Sequence, residues 1–98
     1  MMDYKLDNQT LTLYFVGELN SYTADETEKE IDCIMSEHRF KRVVLDFEKL
    51  QYISSAGLRI ILKIKRKYSD IKAIKVNDDI YSILEMVRFD NILGIERL

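Results

Sequence analysis

Leu11, Leu13 and Phe15 alternate with Thr12, Tyr14 and Val16. This period-two pattern has one strongly apolar face and predicts a strand over residues 11–16. Residues 4–7 read as a strand before it, and Asn8-Gln9-Thr10 between them is turn chemistry, so a hairpin is expected. Gly17 is expected to end the second strand. Thr23 and Glu26 have the spacing of a capping box. Asp25, Glu26 and Glu28 suit the positive end of a helix dipole. Thr27, Ile31, Ile34, Met35 and His38 then mark one face of a helix running to about His38, with Cys33 off that stripe. Val43–Phe47 is an apolar run interrupted only by Asp46, the signature of a central parallel strand. Residues 48–53 carry the chain onward to Ser54-Ser55-Ala56-Gly57.

A second helix follows, from Leu58 to Tyr68. Leu58, Ile61, Leu62 and the stem of Lys65 form its predicted buried side, flanked by Ile60 and Ile64. Its other face is Arg59, Lys63, Arg66 and Lys67, most simply a solvated surface, with steering of an acidic partner as the alternative. Ile71–Val76 reads as a strand, and Asn77-Asp78-Asp79 as a helix start. Ile80, Ile83, Leu84 and Val87 give a short third helix. Phe89 to Leu93 reads as a loop or a turn of helix, and Gly94–Leu98 as a last short strand. The order β-β-α-β-α-β-α-β calls for parallel pairing with right-handed crossovers. The predicted fold class is therefore α/β: a mixed, mainly parallel sheet with an N-terminal antiparallel hairpin strand and helices packed mainly on one face.

Length and composition narrow the partners. Ninety-eight residues make one domain, spanning 1–98, with 47% hydrophobic and 33% charged residues. A net charge of −2 excludes holding nucleic acid by bulk electrostatics. The single cysteine, Cys33, permits no internal disulfide and no multi-cysteine metal site, which fits a reducing cytoplasm. The N-terminus carries no signal pattern, and no apolar run approaches the ~18 residues of a membrane span. No cofactor or metal site is expected.

The candidate chemistry lies at Ser54-Ser55. Either serine can cap the second helix, because its hydroxyl can accept an orphan backbone N–H, with Gly57 easing the turn. The same free N–H groups and helix dipole also suit a phosphate. A phosphoserine adds about −1.5 to −2 charges without breaking the fold. The two readings are compatible. A nucleophilic serine would need a base within hydrogen-bond reach. The only histidine, His38, is expected on another helix, and the G-x-S-x-G elbow is missing. The P-loop motif is also missing. Asp46 reads as structural, since an unpaired buried carboxylate is costly.

Val16-Gly17-Glu18-Leu19-Asn20, Val43-Val44-Leu45-Asp46-Phe47 and Tyr52-Ile53-Ser54-Ser55-Ala56-Gly57-Leu58 together resemble the anti-sigma factor antagonists of the STAS domain family, over nearly the whole chain. The resemblance implies a non-enzymatic, bacterial, cytoplasmic switch with a phosphorylatable serine at the start of the second helix, which is Ser55 here. Unmodified, such a protein binds an anti-sigma factor that is often the serine kinase itself, and so releases a sigma factor. A PP2C-type phosphatase restores the unmodified form. The implied partner surface comprises Asn20, Ser21, Tyr22, Thr23, Ser54, Ala56, Gly57 and Arg59. Many members carry Asp where this chain has Ser54, Ser or Thr where it has Ala56, and Asp where it has Asn20. Two alternatives stand beside this reading: an interaction scaffold that is never phosphorylated, and a small anion- or nucleotide-binding module.

Overall fold

A computed structural model describes residues 2–98; Met1, where the expected domain begins, lies outside the described residues. Chain order runs β1 (Asp3–Asp7), β2 (Thr10–Leu19), α1 (Ala24–Glu37), β3 (Arg42–Ile53), α2 (Ser55–Lys67), β4 (Ile71–Val76), α3 (Asp78–Met86), a 3₁₀ turn at Phe89–Asn91, and β5 (Gly94–Arg97). The five strands form one sheet in the order β1-β2-β3-β4-β5. Only β1 and β2 pair antiparallel; the rest are parallel. When strand order follows chain order, right-handed crossovers deliver every helix to the same face. Burial agrees: Leu11, Leu13, Phe15, Val43, Leu45, Phe47, Ile71 and Ala73 point into one core with Ile31, Ile34, Ile61, Ile80 and Leu84.

The hairpin turn is tighter than expected. Asn8 and Gln9 both have positive φ, 51° and 68°, and Thr10 already pairs with Asp7. Two such residues match the twist of the flanking strands. Gly17 does not end β2, which continues to Leu19. Its φ of +78° sits beside a register shift against β3, a backbone state open to glycine at little cost.

β3 is also longer than the apolar run that announced it. Tyr14 pairs with Asp46 but Val16 with Lys49, and Gly17 pairs with Leu50 but Glu18 with Tyr52. Each shift inserts one extra residue into β3, so the segment 48–53 is strand rather than connection. Asp46 is 5% exposed, and its Oδ1 accepts the Glu48 N–H at 3.0 Å across the first bulge. Lys75 Nζ lies 3.7 Å from the other Asp46 oxygen and 3.6 Å from Glu48 Oε1. Lys75 holds φ +55° at a register shift in β4. The structural reading of Asp46 fits this geometry.

Two helix expectations change. Ile60, Ile61 and Ile64 are the buried large side chains of α2, whereas Leu58 and Leu62 are only half-buried. His38 caps the end of α1, at about the expected helix end, and is half-buried: its ring packs on Tyr4 at 5.2 Å and its Nε2 lies 3.1 Å from the Tyr4 hydroxyl. Val87 lies outside α3 and is exposed. Among the described residues, no helix is long and apolar enough to cross a membrane.

Candidate functional site

β2 and β3 run parallel past the last β3–β4 pair, Asp46 with Ile74, and end at Leu19 and Ile53. α1 and α2 begin within a few residues of these ends, so their starts lie together at the C-terminal edge of the sheet. The Ser54 N–H donates to the Leu19 carbonyl at 2.9 Å, tying the α2 start to the end of β2. Ala24 and Ala56, from the first turns of the two helices, line a common groove.

Gly57 makes this junction possible. A Cβ there would meet Ile53 Cγ1 at 2.7 Å and Leu19 Cγ at 2.8 Å. Neither atom is the free end of a flexible chain. Gly57 is helical and buried, so it does not ease a turn, and it offers no surface of its own to a partner. Its missing side chain lets α2 settle onto the strand ends. The face that α2 buries carries Gly57, Ile60, Ile61 and Ile64, with Leu58, Leu62 and Lys65 only half-buried.

The α1 start is organised by Asn20. Its Oδ1 accepts the Tyr22 N–H at 2.8 Å and the Thr23 N–H at 3.2 Å, and its backbone carbonyl accepts the Ala24 N–H at 2.8 Å. The Thr23 hydroxyl accepts the Asn20 N–H at 2.9 Å and donates to the Glu18 carbonyl at 2.9 Å. The expected Thr23–Glu26 capping box is therefore absent, because the threonine side chain faces back into the loop. Ser21 is exposed, Tyr22 is 93% exposed, and Asn20 and Thr23 are half-buried.

The α2 start differs. Ser54 occupies the cap position with extended backbone, but its side chain accepts no cap hydrogen bond. Its hydroxyl oxygen is buried and has no protein partner among the described residues. Ser55, the first helical residue, is exposed. The first turn holds no acidic residue, whereas α1 has Asp25 and Glu26 there and α3 has Asp78 and Asp79. The positive pole of the α2 dipole is thus left without a carboxylate.

One residue read as solvated is engaged. Lys63 Nζ contacts Glu28 at 2.8 Å and Asp32 at 3.3 Å, joining α2 to α1. These two hydrogen bonds hold the ammonium above the usual lysine range. The i, i+4 spacing of Glu28 and Asp32 put two acids on one face of α1, but nothing in the sequence paired them with Lys63. Arg59 is exposed one turn beyond Ser55. His38 stands at the opposite end of the 14-residue α1 from these loops, about 21 Å along the helix, and gives Ser55 no base. Cys33 donates to Glu37 at 3.5 Å, and that carboxylate pushes its thiol pKa up, which keeps the thiol protonated.

A family model described as STAS domain matches residues 1–97. BtrV of Bordetella bronchiseptica, a protein carrying the name anti-sigma factor antagonist, is 38% identical over 56 residues, 57% of this chain. The match spans 47% of BtrV, about half its length. The anti-sigma F factor antagonist of Paenibacillus polymyxa is 28% identical over 83 residues, 81% of this chain and 71% of that protein. Among solved structures, SpoIIAA in its unphosphorylated form has the same fold, with a TM-score of 0.78 at 12% identity over 97% of this chain and 87% of that one. The phosphorylated form of SpoIIAA, a Bacillus cell fate determinant, superposes with a TM-score of 0.69 at 12% identity, covering 97% of this chain and 90% of that one.

Proposed function

The chain belongs to the STAS domain family, and from that premise we propose that it is an anti-sigma factor antagonist switched by phosphorylation of Ser55. The observation that carries this is the contrast between two adjacent serines. Ser55 is exposed at the first position of α2, whereas the Ser54 hydroxyl is buried. A kinase can reach one and not the other. Transfer of the ATP γ-phosphoryl group to Ser55 Oγ would release ADP and a proton. It would leave about −1.5 to −2 charges at a helix start that has no acid of its own. Names and forms of the relatives support the reading: two are anti-sigma factor antagonists by name, and SpoIIAA exists in phosphorylated and unphosphorylated forms.

The unmodified surface around Ser55, with Ser21, Tyr22, Ala56 and Arg59, docks an anti-sigma factor that is itself the serine kinase. A phosphate inside that docked surface must be desolvated or repelled. Each 1.4 kcal/mol of penalty weakens binding about tenfold. A PP2C-type phosphatase reverses the step. Incubation with the cognate kinase and ATP should add a single phosphate, located on Ser55 by mass spectrometry and lost in Ser55→Ala. Ser55→Asp should bind the partner at least about tenfold more weakly. A phosphate on another residue, or full binding by Ser55→Asp, would sink the proposal.

A scaffold that is never phosphorylated is the second reading. It is favoured by Ser54, Ala56 and Asn20, which depart from the Asp, Ser or Thr, and Asp that the family resemblance leads one to expect there. Intact mass measured from cells with and without the phosphatase separates the two.

A further inference from the structure

The groove between α1 and α2 has a volume of about 510 Å³ and is lined at the α2 start by Ala56, the residue after Ser55. Asp25 and Glu28 lie on its α1 wall, and Arg59, Lys63 and Arg66 on its α2 wall. These cations are not equivalent. Lys63 is committed to Glu28 and Asp32. Arg59 and Arg66 make no hydrogen bond, ion pair or ring contact among the described residues. Once Lys63 and Glu28 are set against each other, the groove presents two free guanidinium groups and one carboxylate, Asp25. The charge that remains is net positive.

Arg59 also has a second reach. It stands four residues after Ser55 in the same helix. At that spacing side chains share a face, with Cβ atoms about 5–6 Å apart. Helical side chains lean toward the N-terminus, so the arginine stem runs back toward Ser55. Arg66 is eleven residues from Ser55, about 16 Å along the axis, and stays with the groove. The planar fork of a guanidinium matches both a carboxylate and a phosphate.

We infer that Arg59 reads the state of Ser55. In the unmodified chain it holds a carboxylate of an acidic segment of the protein partner laid in the α1–α2 groove; in the modified chain it turns back one helical turn and holds the phosphate. Modification then acts twice. It adds negative charge at the rim, and it withdraws one of the two free cations that hold the partner. This inference rests on Ser55 being the modified residue.

The test uses the full chain with phosphoserine installed at position 55 during translation, so no kinase is needed. The phosphate is titrated by phosphorus NMR. Arg59 and Lys63 on α2 and Asp25 and Glu28 on α1 are the charged groups of the adjoining groove nearest the start of α2. In the parent, the second ionisation should fall below its usual value of about 6; Arg59→Gln should raise it by about 0.5–1 unit, and Arg59→Lys by less. Without phosphate, Arg59→Gln should weaken binding to the cognate anti-sigma factor about tenfold and narrow the gap between modified and unmodified chains. The same phosphate titration in parent and Arg59→Gln overturns the inference. So does Arg59→Gln binding as tightly as the parent, or more tightly, which would mark a basic or apolar segment in the groove. A kinase that ignores Ser55 defeats the phosphorylation reading alone, because the installed phosphate still reports on Arg59.

Discussion

The starts of α2 and α3 solve the same problem in opposite ways. At α3, Asn77 Oδ1 accepts the Ile80 N–H at 2.9 Å while its Nδ2 donates to the Leu50 carbonyl at 3.0 Å, and Asp78 and Asp79 face the dipole. Every local need is met by the chain itself, and nothing is left to offer. At α2, the cap residue makes no side-chain hydrogen bond, the first turn has no acid, and the helix is held by the close approach of Gly57 to Leu19 and Ile53. Fixing a helix start by packing leaves its electrostatics unfilled. A start of this kind can accept charge later, and one like α3 cannot.

That contrast can be tested in order of expected effect. Gly57→Ala should be the most damaging change, destabilising by about 2 kcal/mol in urea unfolding. Overpacking of the added Cβ against Ile53 and Leu19 outweighs the helix propensity that alanine contributes. A neutral result would show that α2 is not held by this contact. Asn77→Ala should cost about 1–2 kcal/mol, since it removes a cap and one partner of the Leu50 carbonyl. Ser55→Glu should stabilise by about 0.3–1 kcal/mol at low salt, an effect erased by high salt, because the vacant dipole gains a carboxylate. Ser54→Ala should change stability by less than about 0.5 kcal/mol, well below Asn77→Ala, since its hydroxyl caps nothing.

The smallest effect concerns the brace between the helices. Lys63 has a folded-state pKa above the usual value of about 10.4. Its contribution is therefore complete below that unfolded value and is lost as pH rises through the higher folded one. Lys63→Met should flatten any fall in stability above pH about 10.4 and leave the neutral-pH melting point little changed, because the half-exposed bridge is screened by solvent.

The parts of the fold that were legible in the sequence are those where side-chain periodicity survives. Leu11, Leu13 and Phe15 alternate cleanly and are buried as expected. β3 was only half visible, because two register shifts break its alternation after Phe47. The third-helix start was readable from Asn77-Asp78-Asp79, since capping there is local. The first-helix start was not: Thr23 and Glu26 have the right spacing, but Asn20 had already taken the Tyr22 and Thr23 N–H groups. At the site, the serine pair stood out in the sequence. Which hydroxyl is accessible depends on how the start of α2 docks on the sheet, a tertiary fact. Gly57 shows the same limit. A glycine beside a helix start signals a turn by default, and only the distances to Ile53 and Leu19 reveal close packing.

The sheet's spatial order, β1-β2-β3-β4-β5, has a consequence for how the molecule is made. Each strand's neighbour in the sheet is the next strand in the chain, so none waits for an element beyond the next crossover before it can pair. The parallel pairs still join residues far apart in sequence, Thr10 with Arg42 and Val43 with Ile71, so each crossover carries a loop-closure cost, but a chain emerging from its N-terminus can add strands in sequence. Asn20, Ser55, Gly57 and Arg59 all lie within the first 59 positions. The serine and the arginine that reads it are synthesised before β4, α3 and β5, the elements that complete the far side of the sheet.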